Sequence, residues 1–476
     1  ILSLERVGIH DNFFDLGGNS LSATRLIFQV QEVFEVKLPL IKLFQNQTID
    51  GLSEAIDLAV LAPSEGTGLF STVSIEELNG EVRLDPSISA NGKKYESNGK
   101  PEHIFLTGAT GFLGAYLLQG LLENTNATIY CLVREEDMEA GKARLKDNLG
   151  NYSLWKDDYE NRIIPVLGDL GSPWLGISSA SVEELAQTID LIYHNGAMVN
   201  LVYPYQSHKP ANVDGTIEVL RFAAKQKIKP VHFISSLSVL HTPNAHLEEV
   251  IEEEIDLEQH GVPLGGYAQS KWVGEKLVQE AGSRGIPFTI FRPGPISGHS
   301  QNGSWNQDDL MFSLLDAALT MGSVPDLDVI LDIVPVDYVA DAVNYISSLP
   351  DPFGKIYHLS AVERTGFKDL LNHVKRQGYP LKTVSYDQWR RDLFSLAEKT
   401  PERSWNVYLP LIADVDAQVL HMPRFGQKNT RAGLKGSSIE SPPLGPELLD
   451  AYFKHFIETG KIQPPSNGNN ENGSES

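Results

Sequence analysis

One cysteine in 476 residues excludes an intrachain disulfide, and the chain suits a reducing compartment, so a cytoplasmic location is expected. Cys131 lies in the run Ala127 to Val133 (ATIYCLV), whose neighbours mark it as a buried strand residue and not a nucleophile. Long apolar runs are also missing. None approaches the ~20 residues a helix needs to cross a bilayer, and no signal peptide opens the sequence. Positive charge is scarce. With 39 Lys and Arg against 62 Asp and Glu, the formal net charge is −23, which argues against unaided binding to nucleic acid or membrane. Any phosphate-bearing ligand must then be held by a few local basic residues. No internal repeat is visible, and no metal site is expected. A hydrolase nucleophile elbow, G-x-S-x-G, is absent too; Gly298 to Gly303 (GHSQNG) comes nearest, with the wrong spacing.

What is present reads as an ordinary globular composition, 41% apolar and 21% charged, in a chain too long for one core. Residue 1 is Ile, not Met, so a piece of something longer is expected. Residues 1–62 form a small helical unit, with Leu21, Leu26, Ile27 and Val30, then Leu52, Ile56 and Ala59, at helical spacing. Residues 63–100 read as a linker and lead-in. The strings PSEGTG (63–68) and ANGKKYESNGK (90–100) break the pattern, and a short helix and extended arm are expected over 73–88.

From His103 short apolar runs alternate with helical patterns. Strands are expected at 103–107, 128–133, 163–167, 190–194, 231–235 and 287–291, which predicts an α/β fold with a parallel, doubly wound sheet over 101–298. Helices such as 308–319 and 445–458 dominate 299–465. That stretch reads as a smaller, mostly helical substrate lobe, with some segments returning to the sheet core. The tail 466–476 is Gly, Asn, Glu and Ser with little else and is expected to be disordered.

The first strand–helix junction, Thr107-Gly108-Ala-Thr110-Gly111-Phe112-Leu113-Gly114, carries the chemistry of a dinucleotide site. Its glycines let backbone approach a pyrophosphate lying on the helix N-terminus, although a glycine triplet alone also serves a plain tight turn. The second strand ends at Arg134, where an NAD site would present a carboxylate; an arginine suits the 2′-phosphate of NADPH. Lys142 and Arg144 are possible helpers, or simply solvated helix charges. Asp169 and Leu170 are placed to bound the adenine, and Asn195, Gly196 and Ala197 to pass beneath the nicotinamide side.

Tyr267 and Lys271, in Y-A-Q-S-K, share one face of a helix, where the ammonium is expected to lower the phenol pKa. Ser236 supplies a hydroxyl at the carboxyl edge of the sheet. A lone YxxxK is common by chance on exposed helices; the glycine loop and the order of elements remove that reading. At the other end of the chain, Asp11 to Leu21 (DNFFDLGGNSL) sets Ser20 straight after a glycine turn at a helix start. The plainer reading is an N-cap; the functional one is a phosphate ester at a positive helix end.

That last string resembles the 4′-phosphopantetheine attachment site of peptidyl carrier domains of nonribosomal peptide synthetases, over about residues 5–60 and with the first carrier helix largely missing. Residues 100–300 resemble the extended short-chain dehydrogenase/reductase superfamily, with its Rossmann-type sheet. More narrowly, 75–460 resemble the thioester reductase domains that end peptide synthetases, carboxylic acid reductases and α-aminoadipate reductases, on the strings GYAQSKWVGE (266–275), FRPGPISG (291–298) and VPVDYVA (334–340). The resemblance implies that Ser236, Tyr267 and Lys271 form a catalytic triad and that Pro293-Gly294 passes the nicotinamide. It implies an arm on Ser20 added by a phosphopantetheinyl transferase, upstream condensation and adenylation domains, and NADPH-dependent release of an acyl or peptidyl thioester as an aldehyde or, after a second reduction, an alcohol. Thioesterase release, a redox-inactive Dieckmann-type cyclisation, a stand-alone terminal module of carboxylic acid or aminoadipate reductase type and a pure nucleotide-binding module are the rival readings.

Overall fold

Seven strands make one parallel sheet: β1 (His103–Thr107), β2 (Thr128–Val133), β3 (Ile163–Leu167), β4 (Leu191–His194), β5 (Val231–Ile234), β6 (Phe288–Pro293) and β7 (Lys355–Leu359), in spatial order β7-β6-β5-β4-β1-β2-β3. The computed structural model describes all residues except 3, 5, 19, 35, 37, 39–41, 44–45, 62–72, 96–98, 244–248, 307–308, 401–402, 415–421 and 466–476. The expected chain break at 63–68 and the tail therefore lie outside the described residues.

Alternation along each strand builds two cores. Phe105, Leu132, Ile192, Phe233 and Ile290 face one side, and Ile104, Leu106, Ile129, Cys131 and Phe291 the other. On the first side Trp272, Val273 and Leu277 of a long helix close the layer, and on the second Leu117, Leu118 and Leu121 pack with Val339 and Val343. Strand order reverses between β1 and β4. The crevice at their carboxyl ends is where open α/β sheets take ligands. The six expected strands are present within a residue or two. β7 arrives after the lobe has begun, pairing in parallel with β6 from Lys355↔Thr289 to Leu359↔Pro293.

The elements used below are α1 (Ser20–Phe34), α2 (Ile49–Leu61), α3 (Ile75–Glu81), α4 (Phe112–Asn124), α5 (Met138–Asn151), α6 (Gly215–Ala224), α7 (Gly266–Ser283), α8 (Leu310–Met321) and α9 (Pro446–Glu458). α3 starts on a capping box, with Ser74 and Glu77 exchanging side-chain and backbone bonds, and is the expected lead-in helix. The lobe has its own cores. Phe312 and Ala318 of α8 pack with Tyr452, Phe453 and Phe456 of α9, while Ala317 faces Trp389, Leu393 and Trp405. Tyr452 fastens the lobe to the sheet domain by donating to the Gly298 carbonyl (3.0 Å) and meeting Ser297 Oγ at 2.8 Å.

At the amino end, Phe13, Ala23, Ile27, Val30, Leu52 and Ile56 enclose a small separate core under α1 and α2. α1 rests against the turn Ser404–Tyr408 and the helix Leu409–Asp414, and Arg25 Nε lies 3.2 Å from Glu398 Oε1.

Candidate active site

The glycine loop joins β1 to α4 in the shape a nucleotide cradle needs. Gly108 sits at φ +74, and a Cβ there would meet Gly196 Cα at 2.7 Å. A Cβ on Gly114 would lie 1.9 Å from the Gly108 carbonyl oxygen, so helix and loop approach more closely than any side chain allows. Gly111 is the N-cap of α4 and makes no side-chain cap bond, which leaves that helix end to a ligand. Phe112 sets its ring edge-to-face with Tyr116 (5.5 Å) and tilted against Tyr152 (5.1 Å), and Leu113 packs on the core. Both therefore offer backbone to the cradle and side chain to the interior. Thr110 is half-buried in the turn.

Thr107 links this loop to the neighbouring strand. Gly196 N–H donates to Thr107 Oγ1 (2.8 Å), and Thr107 Oγ1 lies 2.9 Å from His194 Nδ1. The far side of the ring fixes the direction of this chain. Thr216 spends its proton on the Asn212 carbonyl (2.7 Å), so it accepts from His194 Nε2 (3.0 Å), and Nδ1 in turn accepts from Thr107. His194 is thus the neutral Nε2–H tautomer, as burial demands by pulling its pKa down to about 3. Leu170 packs against Gly196, Asp169 accepts from the Gly171 amide (2.9 Å), and Asn195 Nδ2 donates to the Gly108 carbonyl (3.2 Å). Ala197 follows, half-buried.

The two arginines part company. Arg134 is exposed straight after β2, and among the described residues no carboxylate pairs with it. Arg144, on α5, is committed to Glu135 (2.8 Å) and to the Arg134 carbonyl (3.1 Å). It buttresses the Arg134 backbone instead of standing free beside it.

Ser236, Tyr267 and Lys271 converge at the carboxyl edge of β5. The Ser236 hydroxyl caps the following turn by accepting from Ser238 N (3.1 Å) and lies close enough to Tyr267 to favour its ionised form. α7 begins at Gly266, a position closed to any side chain because a Cβ there would strike the Pro204 and Tyr205 backbone at 2.4 Å. Lys271 is buried. Its Nζ donates to the Ile234 carbonyl (2.5 Å) and lies 4.2 Å over the Phe233 ring. The expected lowering of the Tyr267 pKa is not what the structure gives. Burial pushes the phenol up to about 12, and the Ser236 hydroxyl opposes this only in part. Burial also brings Lys271 down to about 7, against the pull of Glu275. Tyr267 is therefore protonated at neutral pH, the state a proton donor requires. Pro293 ends β6, and the Gly294 amide donates to Leu359 O (2.9 Å), leaving that segment facing Leu237 and Asp332.

Several supports carry no sequence signal. Asn212, in a π-turn over Pro210–Asp214, donates to Ser270 Oγ (2.8 Å) and Met198 O (2.9 Å) and accepts from Met198 N (2.7 Å), clamping the loop after β4 to α7. Ser235 donates to the buried Glu275 (2.8 Å), which forms an ion pair with the equally buried Arg292; Arg292 Nη1 reaches His358 on β7 (3.0 Å). Ser20 is the first residue of α1, after Gly17 at φ +93, so its backbone stands at a helix N-terminus. Such a place fits a phosphate ester, as the glycine cradle fits a dinucleotide.

A cradle of close-packed glycines beside a sheet edge that bears a protonated phenol suits a nicotinamide-dependent oxidoreductase, and the sheet places this one in the extended short-chain dehydrogenase/reductase class. Residues 106–343 match the NAD-binding family described as Male sterility protein, and residues 2–56 match the family described as Phosphopantetheine attachment site. The terminal R domain from the myxalamid PKS-NRPS biosynthetic pathway is 40% identical, with TM-score 0.78, covering 82% of this chain and 100% of that one. A linear gramicidin synthase of Brevibacillus parabrevis is 38% identical over 479 residues, covering 99% of this chain and 9% of that protein. The L-2-aminoadipate reductase large subunit of Candida glabrata is 36% identical over 501 residues, 96% of this chain and 35% of its own length. This chain, which spans well under half of either curated relative, belongs to the Male sterility NAD-binding family and couples a phosphopantetheine carrier to a terminal reductase domain of nonribosomal peptide synthetase type.

Proposed function

We propose that this chain is the last station of a peptide synthetase, releasing an acyl or peptidyl thioester carried on a Ser20 phosphopantetheine arm as an aldehyde, with NADPH as reductant. The observation that carries this reading is the Tyr267 phenol, near Ser236 at the carboxyl edge of the sheet that also bears the glycine loop, and held protonated by burial. Thr107 to Gly114 and Asn195 to Ala197 would cradle the dinucleotide, with Arg134 toward its 2′-phosphate and Pro293-Gly294 toward its nicotinamide; when bound it would supply hydride. Tyr267 would hydrogen-bond the thioester oxygen and give it a proton as hydride reaches the carbonyl carbon; the carbon–sulfur bond then breaks, the hydroxyl proton passes to the sulfur, and aldehyde and free thiol result. Ser236 orients that oxygen. Lys271, whose Nζ donates to the Ile234 carbonyl, would hold the nicotinamide ribose. The arm on Ser20, installed by a phosphopantetheinyl transferase, brings substrate from upstream condensation and adenylation domains. Among the described residues no helix is long and apolar enough to cross a membrane. Together with one buried cysteine, this supports work in the cytoplasm.

The test loads Ser20 with an acyl group and follows single-turnover NADPH oxidation while trapping aldehyde. Tyr267→Phe should slow the step about 10²–10⁴-fold with NADPH affinity retained. Ser20→Ala should abolish loading yet still reduce a soluble thioester. Wild-type rates from Tyr267→Phe, or a ring-closed product formed without NADPH, would remove the assignment in favour of cyclising release.

A further inference from the structure

Between Ala197 and Pro204 the chain after β4 has no regular secondary structure, yet its inward groups are fastened. Asn200 Oδ1 accepts from the amides of Val202 (2.8 Å) and Tyr203 (2.9 Å), and the Asn200 carbonyl meets His208 Nε2 at 2.9 Å. His208 is fully buried with its other nitrogen 3.1 Å from the Pro204 carbonyl, and Val202 is 6% exposed. The alternate positions point the other way. Val199 is 67% exposed, Tyr203 39% and Leu201 37%. Single exposed apolar residues are ordinary; three at successive outward positions of a loop bolted down by its polar residues are not.

The loop also stands at the reaction centre. Its Tyr203 carbonyl and Pro204 backbone press on Gly266, the residue before Tyr267, and the His208 ring lies 6.1 Å from the Tyr267 ring. It leaves the same carboxyl edge of the sheet that bears the glycine loop and Ser236. A second, independent observation concerns charge. In a chain with net charge −23, the thirteen positions from Asn195 to Ser207 carry no Asp, Glu, Lys or Arg. Whatever touches this lip meets no ionic partner.

We propose that Val199, Leu201 and Tyr203 form an apolar lip that receives the acyl group just beyond its thioester carbonyl. This chain then favours acyl groups that run on from the carbonyl as an uncharged aliphatic or aromatic chain over short ones that end in a carboxylate. The inference rests on the reductase reading, since only the need to bring a carbonyl to Tyr267 puts the flanking carbons here.

The experiment uses the full chain, NADPH and two soluble thioesters of N-acetylcysteamine, hexanoyl and glutaryl, which are similar in length but differ in terminal charge. Wild type should favour hexanoyl in kcat/KM. The double substitution Leu201→Asn, Tyr203→Ser should lower the hexanoyl-to-glutaryl ratio about tenfold, mainly through a raised hexanoyl KM. NADPH affinity should stay unaltered, as a control for folding, and Val199→Asn should shift the ratio in the same direction. An unchanged ratio in these variants overturns the lip while leaving the reductase reading intact. So does a defect seen only with substrate on Ser20, which would make the loop a docking surface for the carrier. Wild type reducing neither thioester would overturn the reductase reading and the lip with it.

Discussion

Replacing Arg134 by alanine should change which cofactor this protein prefers. Arg144, on α5, is occupied by Glu135 at 2.8 Å, while Arg134, straight after β2, is exposed and pairs with no described carboxylate. A charge-assisted hydrogen bond is worth roughly 1.5–3 kcal/mol. Solvent screens an exposed guanidinium, so the lower end applies, about 1.5 kcal/mol, or close to tenfold in Kd. Arg134→Ala should therefore weaken NADPH about tenfold and leave NADH, which lacks the 2′-phosphate, within about twofold. Titration of nicotinamide fluorescence at low and at physiological salt measures both, and the NADPH effect should shrink as salt rises. Arg144→Ala should also weaken NADPH, because it releases the Glu135 carboxylate beside the phosphate, and adding Glu135→Gln should restore most of the loss. Equal weakening of both cofactors by Arg134→Ala would refute the argument.

Gly114→Ala should cost NADPH at least about tenfold in affinity, since the new methyl would lie 1.9 Å from the Gly108 carbonyl and must push α4 off the cradle; circular dichroism should show the helices intact. Glu275→Ala strands the fully buried Arg292 and should destabilise the protein by about 3–5 kcal/mol in urea unfolding; a cost below about 1 kcal/mol would mean that the pair does not hold β6 to α7. Lys271→Met tests linkage. The native amine titrates near 7 and the unfolded one near 10.5, so between those values the unfolded chain binds the extra proton and wild-type stability rises with pH. The stability of Lys271→Met relative to wild type should therefore fall as pH goes from 7 to 10, by thermal unfolding, and a flat difference would deny the buried amine.

Much of the fold is legible in the sequence because the sheet is made of short apolar runs whose alternation feeds two cores, and because the glycine loop and the Tyr267/Lys271 pair are local patterns. β7 is harder to see. Lys355–Leu359 mixes Lys, Tyr and His with two aliphatics, and His358 is tolerated inside because Arg292 and the Gly426 carbonyl satisfy its ring. The Tyr267 environment escapes the sequence for a related reason. Spacing shows that a lysine shares the helix face, but the balance between cation and desolvation depends on segments far away in sequence, the Pro204–Tyr205 backbone and the Ile234 carbonyl among them. Arg144 likewise looks as available as Arg134 until the fold gives it to Glu135. Asn212, His208 and Glu275 act through partners 14, 8 and 40 positions away, and no spacing rule announces such bonds.

The high pKa of Tyr267 also sets how the site should respond to acidity. A phenol held near 12 by burial keeps its proton throughout the neutral range, so the supply of that proton does not change with the surroundings. A catalyst eases both directions of a reaction alike, and this residue cannot favour one of them. What burial gives it is constancy. The neighbour that does change is Lys271, brought down to about 7, so a rate that varies through neutrality would carry the signature of the amine and not of the phenol.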